Sequence, residues 1–383
     1  MNQEPDFNLS PNNLEVLLSN LKKSGEKIID LTSSNPTVLG FDYSGLKIPM
    51  LFSTEKNLIY SPDPKGSAAA RDAIGKYYKA RNNYFKFKSI SDLILASGTS
   101  ECYSYILKAF GSAGEEVLLP APGYPLLEHL VSFEKLNPVH YNLKYDNDKW
   151  AIDPEELEKS VSAKTKFIII VSPNNPTGHT LGKDEFIYID KLCSKNGINI
   201  IIDEVFFDYI NENNYEPFLP EYPENYSIFI LNGISKITAT PQLKLSWLYV
   251  ISKESVTEKL EFIADAYLSV NTPVQNALPY LLENKNVIQP QIISRIKNNL
   301  EFLKNSGLDY YKVNAGWYAC LKTAGNITDD AFCYNLLEKY SVLAHPGFFY
   351  EFNSENVIVI SLIVRESDFI EGIEKIKLLL MSR

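Results

Sequence analysis

The chain is predicted to be an α/β protein with a three-layer α/β/α large domain around a mostly parallel sheet, joined to a smaller α+β domain. Three observations carry this expectation. The runs Phe167-Ile-Ile-Ile-Val171 and Ile198-Asn-Ile-Ile-Ile202 are apolar at nearly every position, which marks strands covered on both faces. Such runs alternate with helical patterns such as Ala68–Ala80 and Ser100–Phe110, the order that builds a parallel sheet between helical layers. Polar motifs follow directly after three of the runs, where open α/β sheets bind ligands.

In chain order, the strands are expected at Leu93–Ala96, Glu116–Pro120, Lys166–Ser172, Asn199–Asp203, Ser227–Leu231 and Trp247–Ser252. From about Thr272 the texture changes. A long polar–apolar helical stretch from Pro273 to about Asn305 leads to strands near Tyr310–Val313, Trp317–Lys322 and Val357–Leu362. Helices follow the pattern near Asp329–Lys339 and Ser367–Met381. No internal repeat or low-complexity linker interrupts the chain.

At 383 residues, with 45% hydrophobic and 22% charged residues, the composition is that of a soluble globular enzyme with a large core. A net charge of −10 argues against a nucleic-acid partner, because no basic face is available to neutralise phosphates. Cys102, Cys193, Cys320 and Cys333 are far apart and unpaired in spacing, so a reduced, cytoplasmic protein is expected. The first residues lack the basic and apolar regions of a signal peptide, and no apolar run approaches membrane-spanning length. No metal-ligand spacing is present, and neither a metal nor a membrane is expected.

The chemistry is carried by three motifs: Asn174-Asn175-Pro176-Thr177-Gly178, Asp203-Glu204-Val205 and Ser235-Lys236. Asn175, Asp203 and Lys236 are 28 and then 33 residues apart, each just after an apolar run. These residue types fit a pyridoxal 5'-phosphate (PLP) ring. A lysine amine forms a Schiff base with the aldehyde, a carboxylate keeps the pyridine nitrogen protonated, and a neutral donor holds the phenolic oxygen. Asn-Pro-Thr-Gly is also good turn chemistry anywhere, so the reading rests on the three motifs together. Ser97-Gly98-Thr99-Ser100 precedes a predicted helix whose N-terminal N–H groups suit a phosphate, making Thr99 and Ser100 candidate phosphate donors as well as ordinary caps.

With these motifs in this order, the chain resembles the class I/II aminotransferases of the aspartate aminotransferase fold type, from about Leu31 to the C-terminus. Tyr60-Ser-Pro-Asp-Pro-Lys-Gly66, Ala96-Ser-Gly-Thr-Ser-Glu101 and Pro120-Ala-Pro-Gly-Tyr-Pro125 add to the match. The resemblance implies the PLP-dependent transferase fold. Residues 1–45 would be an N-terminal segment of the small domain, 46–275 the large PLP-binding domain and 276–383 the small C-terminal domain. It implies that Ser235 and Lys244 reach the phosphate, Lys244 standing where relatives usually have arginine. Tyr124 would lie over the pyridine face, and Tyr60 would reach the phosphate of the neighbouring subunit in a homodimer with shared active sites.

Two departures bear on chemistry. Phe206 stands where the family usually has a tyrosine and cannot donate to the phenolic oxygen, which leaves Asn175 as principal donor. Val359, in Val357-Ile-Val-Ile-Ser361, stands where many relatives hold the substrate's α-carboxylate with arginine. Three explanations remain open: Arg365 or a lysine from elsewhere, backbone and neutral donors around Ser33-Ser34-Asn35 with Asn175, or a substrate without that carboxylate. His345 falls near the family's substrate pocket and reads as structural or catalytic. The expected function is an aminotransferase moving an amino group between an amino acid or amine donor and an oxo acid through a Lys236 aldimine. A decarboxylase, lyase or racemase, or a non-catalytic PLP-binding protein, are the alternatives.

Overall fold

The structure, a computed structural model, describes residues 11–81, 88–210, 223, 225–252, 256–323, 327–354 and 356–382. In chain order the strands are β1 (Ile29–Asp30), β2 (Leu93–Ala96), β3 (Glu116–Ala121), β4 (Asn137–Asp146), β5 (Lys149–Ile152), β6 (Thr165–Val171) and β7 (Asn199–Asp203). After them come β8 (Ile228–Gly233), β9 (Ser246–Ile251), β10 (Tyr318–Lys322), β11 (Val342–Leu343), β12 (His345–Pro346) and β13 (Val357–Ser361). The large sheet has the order β2-β9-β8-β7-β6-β3-β4-β5. Its central pairs, β4 to β3, β3 to β6, β6 to β7 and β7 to β8, are parallel, while β9 and β5 pair antiparallel at their ends of that block.

The apolar runs are buried on both faces because alternate side chains enter two different cores. Ile168 and Ile170 pack with Ile200, Ile202, Ile228 and Ile230 on one face, while Phe167, Ile169 and Val171 pack with Ile201, Phe229 and Leu231 on the other. The α/β/α layering follows directly from this two-sided burial.

The antiparallel sheet β10-β13-β12 and the parallel pair β1-β11 contribute to a third core. The chain's early segment belongs here. Ile29 and Asp30 pair with Val342 and Leu343, and the Ser361 N–H donates to the Leu31 carbonyl at 2.7 Å.

Three local expectations change. The stretch from Pro273 is two helices, Thr272–Glu283 and Gln289–Asn305, separated by a 3-10 turn over Lys285–Val287. Pro290 sits in the first turn of the second helix, where its missing N–H costs nothing, so it opens a helix instead of continuing one. Tyr310–Val313 is no strand and makes a single bridge, Tyr310 to Leu321. Tyr311 instead spends its side chain on an aromatic cluster with Tyr145, Trp150 and Phe352. The hairpin β4–β5 was not expected, although Asn147 and Asp148 carry its signal: both adopt the left-handed conformation that tight hairpin turns require.

Candidate active site

Strands β6, β7 and β8 are neighbours, so residues 28 and 33 apart in sequence meet at one sheet edge. Asp203 ends β7, Asn175 follows β6, and Lys236 lies in the short helix Ile234–Ile237 after β8. All three line a cavity of about 210 Å³ with Ser34, Thr99, Ser100, Tyr103, Tyr124, Phe206, Ser235 and Tyr318, among others.

The Asp203 carboxylate is buried. One oxygen accepts from the Tyr103 hydroxyl at 2.9 Å and the other from the Val205 N–H at 3.0 Å. Burial pushes its pKa up to about 6 despite these bonds. Sequence reasoning missed Tyr103. Its signal was position: in the helix Thr99–Phe110 it lies one turn beyond Thr99 and faces the same way. Next to Asp203, Glu204 is fully buried and pairs with Arg81 at 2.9 Å. The Arg81 guanidinium also lies 3.3 Å from the Phe207 ring centre. Breaking a buried pair of this kind costs about 3–5 kcal/mol, so the pair holds the Asp203 turn firmly.

Lys236 sits in an aromatic wall, its Nζ 4.5 Å from the Trp317 ring centre and 5.3 Å from that of Phe206. Burial lowers its pKa to about 8, and no carboxylate among the described residues pairs with it. The amine therefore carries an appreciable neutral fraction near neutral pH, as a carbonyl nucleophile must. Tyr209, also missed, donates from its hydroxyl to the Lys236 carbonyl at 2.8 Å and steadies the helix.

Thr99, Ser100, Ser235 and Ser246 add hydroxyl residues to the cavity lining. Lys244 brings a cation beside Gly98: its Nζ lies 3.5 Å from where a Cβ on that glycine would stand. Gly233 admits no side chain, since a Cβ would come within 2.2 Å of the Ser246 Oγ. Tyr124 lines the same cavity. Tyr60 does not; it is 78% exposed, on an outer groove with Pro62 and Leu268.

Phe206 is buried, edge-on to Trp317 and Tyr318. With no hydroxyl there, a deprotonated Schiff base lacks one donor to its phenolate. Phe206→Tyr is expected to move the spectrophotometric pH midpoint of the loaded protein downward, because the added donor favours the deprotonated form. An unmoved midpoint would refute this role for the position.

The substrate candidates separate. Ser34 lines the cavity, whereas the Asn35 side chain caps its own turn, accepting from the Thr37 N–H at 3.1 Å. His345 Nδ1 lies 2.9 Å from the Tyr350 hydroxyl and is not part of the cavity lining; burial lowers its pKa. Val359 is buried in β13 between Cys320 and His345. Arg365 donates to the Val38 carbonyl at 3.3 Å, outside the cavity lining.

These features suit PLP. A buried carboxylate with only neutral donors calls for a cation, such as a protonated ring nitrogen. A pKa-depressed lysine stands ready for an aldehyde, and the Asn175 amide, which carries N–H donors, lines the same cavity. Hydroxyls and Lys244 meet the needs of a phosphate.

Comparison with known proteins agrees. The family pattern of aminotransferase class I and II matches residues 26–369. Glutamate-pyruvate aminotransferase AlaA of Escherichia coli is 27% identical over 305 residues, covering 78% of this chain and 71% of the relative. Tyrosine aminotransferase of Dictyostelium discoideum is 27% identical over 345 residues, covering 83% and 81%. Among solved structures, alanine aminotransferase from Pyrococcus furiosus superposes with a TM-score of 0.87 at 22% identity, covering 97% of this chain and 96% of that one. The family match, together with a lysine, aspartate and asparagine converging at the ends of adjacent strands, makes this chain a member of the class I and II aminotransferases, PLP-dependent enzymes that transfer amino groups.

Proposed function

We propose that Lys236 is both the cofactor anchor and the proton carrier, that Asp203 holds the ring nitrogen protonated, and that Asn175 holds the phenolic oxygen. The observation that supports this best is the convergence of Asn175, Asp203 and Lys236 on one cavity, with the Asp203 carboxylate held by Tyr103 and Val205; burial there raises the Asp203 pKa to about 6 and lowers that of Lys236 to about 8. When bound, PLP supplies the electron sink that makes the substrate α-proton removable. The protein's residues do the rest. With its depressed pKa, the Lys236 amine would have a basicity suited to taking and delivering the substrate α-proton. Asp203, dry and held by Tyr103, keeps its charge directed at one atom. Trp317 and Phe206 wall in the lysine amine on two sides. Thr99, Ser100 and Ser235 would donate hydrogen bonds to the phosphate, Lys244 would offset part of its charge, and Tyr124 would lie against the ring.

The donors proposed are small or aromatic α-amino acids with an oxo acid acceptor, in line with relatives named for alanine, glutamate–pyruvate and tyrosine. The test is to load the protein with PLP and add alanine, glutamate and tyrosine singly without acceptor. Conversion of the Schiff-base absorbance to that of pyridoxamine phosphate is the expected result. Release of carbon dioxide or ammonia with no such conversion would favour decarboxylase or lyase chemistry instead.

We propose a homodimer in which Tyr60 reaches the partner's phosphate. Support comes from exposed apolar residues at Leu58, Ile59 and Tyr60, with Phe262 and Tyr267 on the helix Thr257–Tyr267, whose Ala264 borders the same groove as Tyr60. A cytoplasmic location fits four buried, unpaired cysteines and the absence, among the described residues, of a helix long and apolar enough to cross a membrane. The proposed lobes are residues 1–45 with 276–383, and 46–275; the helix Thr272–Glu283, which spans that boundary, packs on Ala68–Lys79 of the large lobe.

A further inference from the structure

An oxo acid brings a carboxylate into a cavity whose charged lining, among the described residues, is Lys236 and Asp203, with Lys244 beside Gly98 assigned to the phosphate. Lys236 must stay free for the chemistry, and Asp203 repels an anion. The other described arginines are committed: Arg71 to the Gly66 and Ile90 carbonyls, Arg81 to Glu204, Arg295 to the Ile363 and Val364 carbonyls and Arg365 to that of Val38. A carboxylate taken out of water without compensating hydrogen bonds is strongly disfavoured.

One corner supplies neutral donors. Tyr318, at the start of β10, lines the cavity beside Ser34 and Asn175, with both side chains close enough to influence its hydroxyl. A phenol O–H can donate to an ionised carboxylate, and such charge-assisted bonds are stronger than neutral ones. Asn175 has a second N–H besides the one assigned to the phenolic oxygen, and an ionised carboxylate can accept about four hydrogen bonds.

We propose that the Tyr318 hydroxyl, with Ser34 and Asn175 beside it, holds the carboxylate of the substrate in place of a cation. This rests on the aminotransferase reading of the cavity and makes Tyr318 a specificity-determining residue. It assigns Val359 and its apolar neighbours to the wall behind the carboxylate.

The test is a titration of PLP-loaded protein with propionate, a carboxylate that carries no amine, followed by the Schiff-base absorbance and by tryptophan fluorescence, since Trp317 adjoins Lys236. Wild type is expected to bind. Tyr318→Phe should raise the dissociation constant roughly 10- to 100-fold, the value of one hydrogen bond to a charged group. Arg365→Ala should leave it unchanged. Half-reactions with alanine and ethylamine supply a second measure: Tyr318→Phe should depress kcat/KM for alanine by the same factor and spare ethylamine. The proposal is overturned if wild type binds no propionate, if Arg365→Ala alone weakens binding, or if Tyr318→Phe lowers both amines equally. Failure of the cofactor reading looks different: no Schiff-base absorbance would form, while fluorescence would still report propionate.

Discussion

Lys236→Arg is expected to eliminate the Schiff-base absorbance and lower transamination by at least about 10⁴-fold, the upper range of what a positioned acid–base group contributes. Arginine preserves the positive charge and much of the side-chain volume, so folding is retained. It stays protonated at every working pH and cannot attack an aldehyde. The site offers no replacement: Asp203 is committed to Tyr103 and Val205, and the hydroxyls of Thr99, Ser100 and Ser235 are far too weakly basic. Absorbance of the PLP-titrated variant and its initial rate with alanine and an oxo acid are the measurements. A residual rate above about one per cent of wild type would remove Lys236 from the proton-transfer role.

Asp203→Asn is expected to act on turnover and stability in opposite senses. Turnover should fall of order 10³-fold, as when a preorganised electrostatic partner is deleted. The stability argument follows from protonation. Asp203 has its pKa raised from 3.8 to about 6 by burial, so the folded, cofactor-free protein holds this proton more tightly than the unfolded chain. Its contribution is fully present below pH 4 and is lost as pH rises through about 6, amounting to about 3 kcal/mol at neutral pH. Asparagine removes that slope. The cofactor-free variant should therefore melt higher than wild type at pH 7 and near it at pH 4. PLP, whose protonated nitrogen offsets the buried charge, should raise the Tm of wild type more than that of Asp203→Asn. Equal increments in both proteins would argue against contact between Asp203 and the ring nitrogen.

Much of this was readable from residues because it depends on local chemistry. Both apolar runs had to be covered on two faces, and the two cores on either side of β6 and β7 cover them. The gathering of Asn175, Asp203 and Lys236 was legible because each follows a strand, and adjacent parallel strands end at the same edge. What stayed hidden depends on long-range placement. Tyr103 and Tyr209 are two among 24 tyrosines; helical spacing puts Tyr103 on the Thr99 face without saying that it meets a carboxylate, and no local pattern ties Tyr209 to the Lys236 backbone. The Arg81–Glu204 pair joins residues 123 apart. Tyr318 enters the cavity because β10 lies beside β13, a pairing that periodicity cannot specify. The hairpin at Asn147-Asp148 and the break before Pro290 were within reach of turn chemistry.

The strand pairing of Ile29–Asp30 with Val342–Leu343 has a mechanical meaning. It fastens the segment leading to Ser34 onto the third core, where Leu31 also presses on Gly372 so closely that a Cβ there would come within 2.8 Å. Ser34 and Tyr318 are thereby tied to that core, while Asn175, Asp203 and Lys236 sit at the strand ends of the large sheet. A ligand that touches both sets bridges the two.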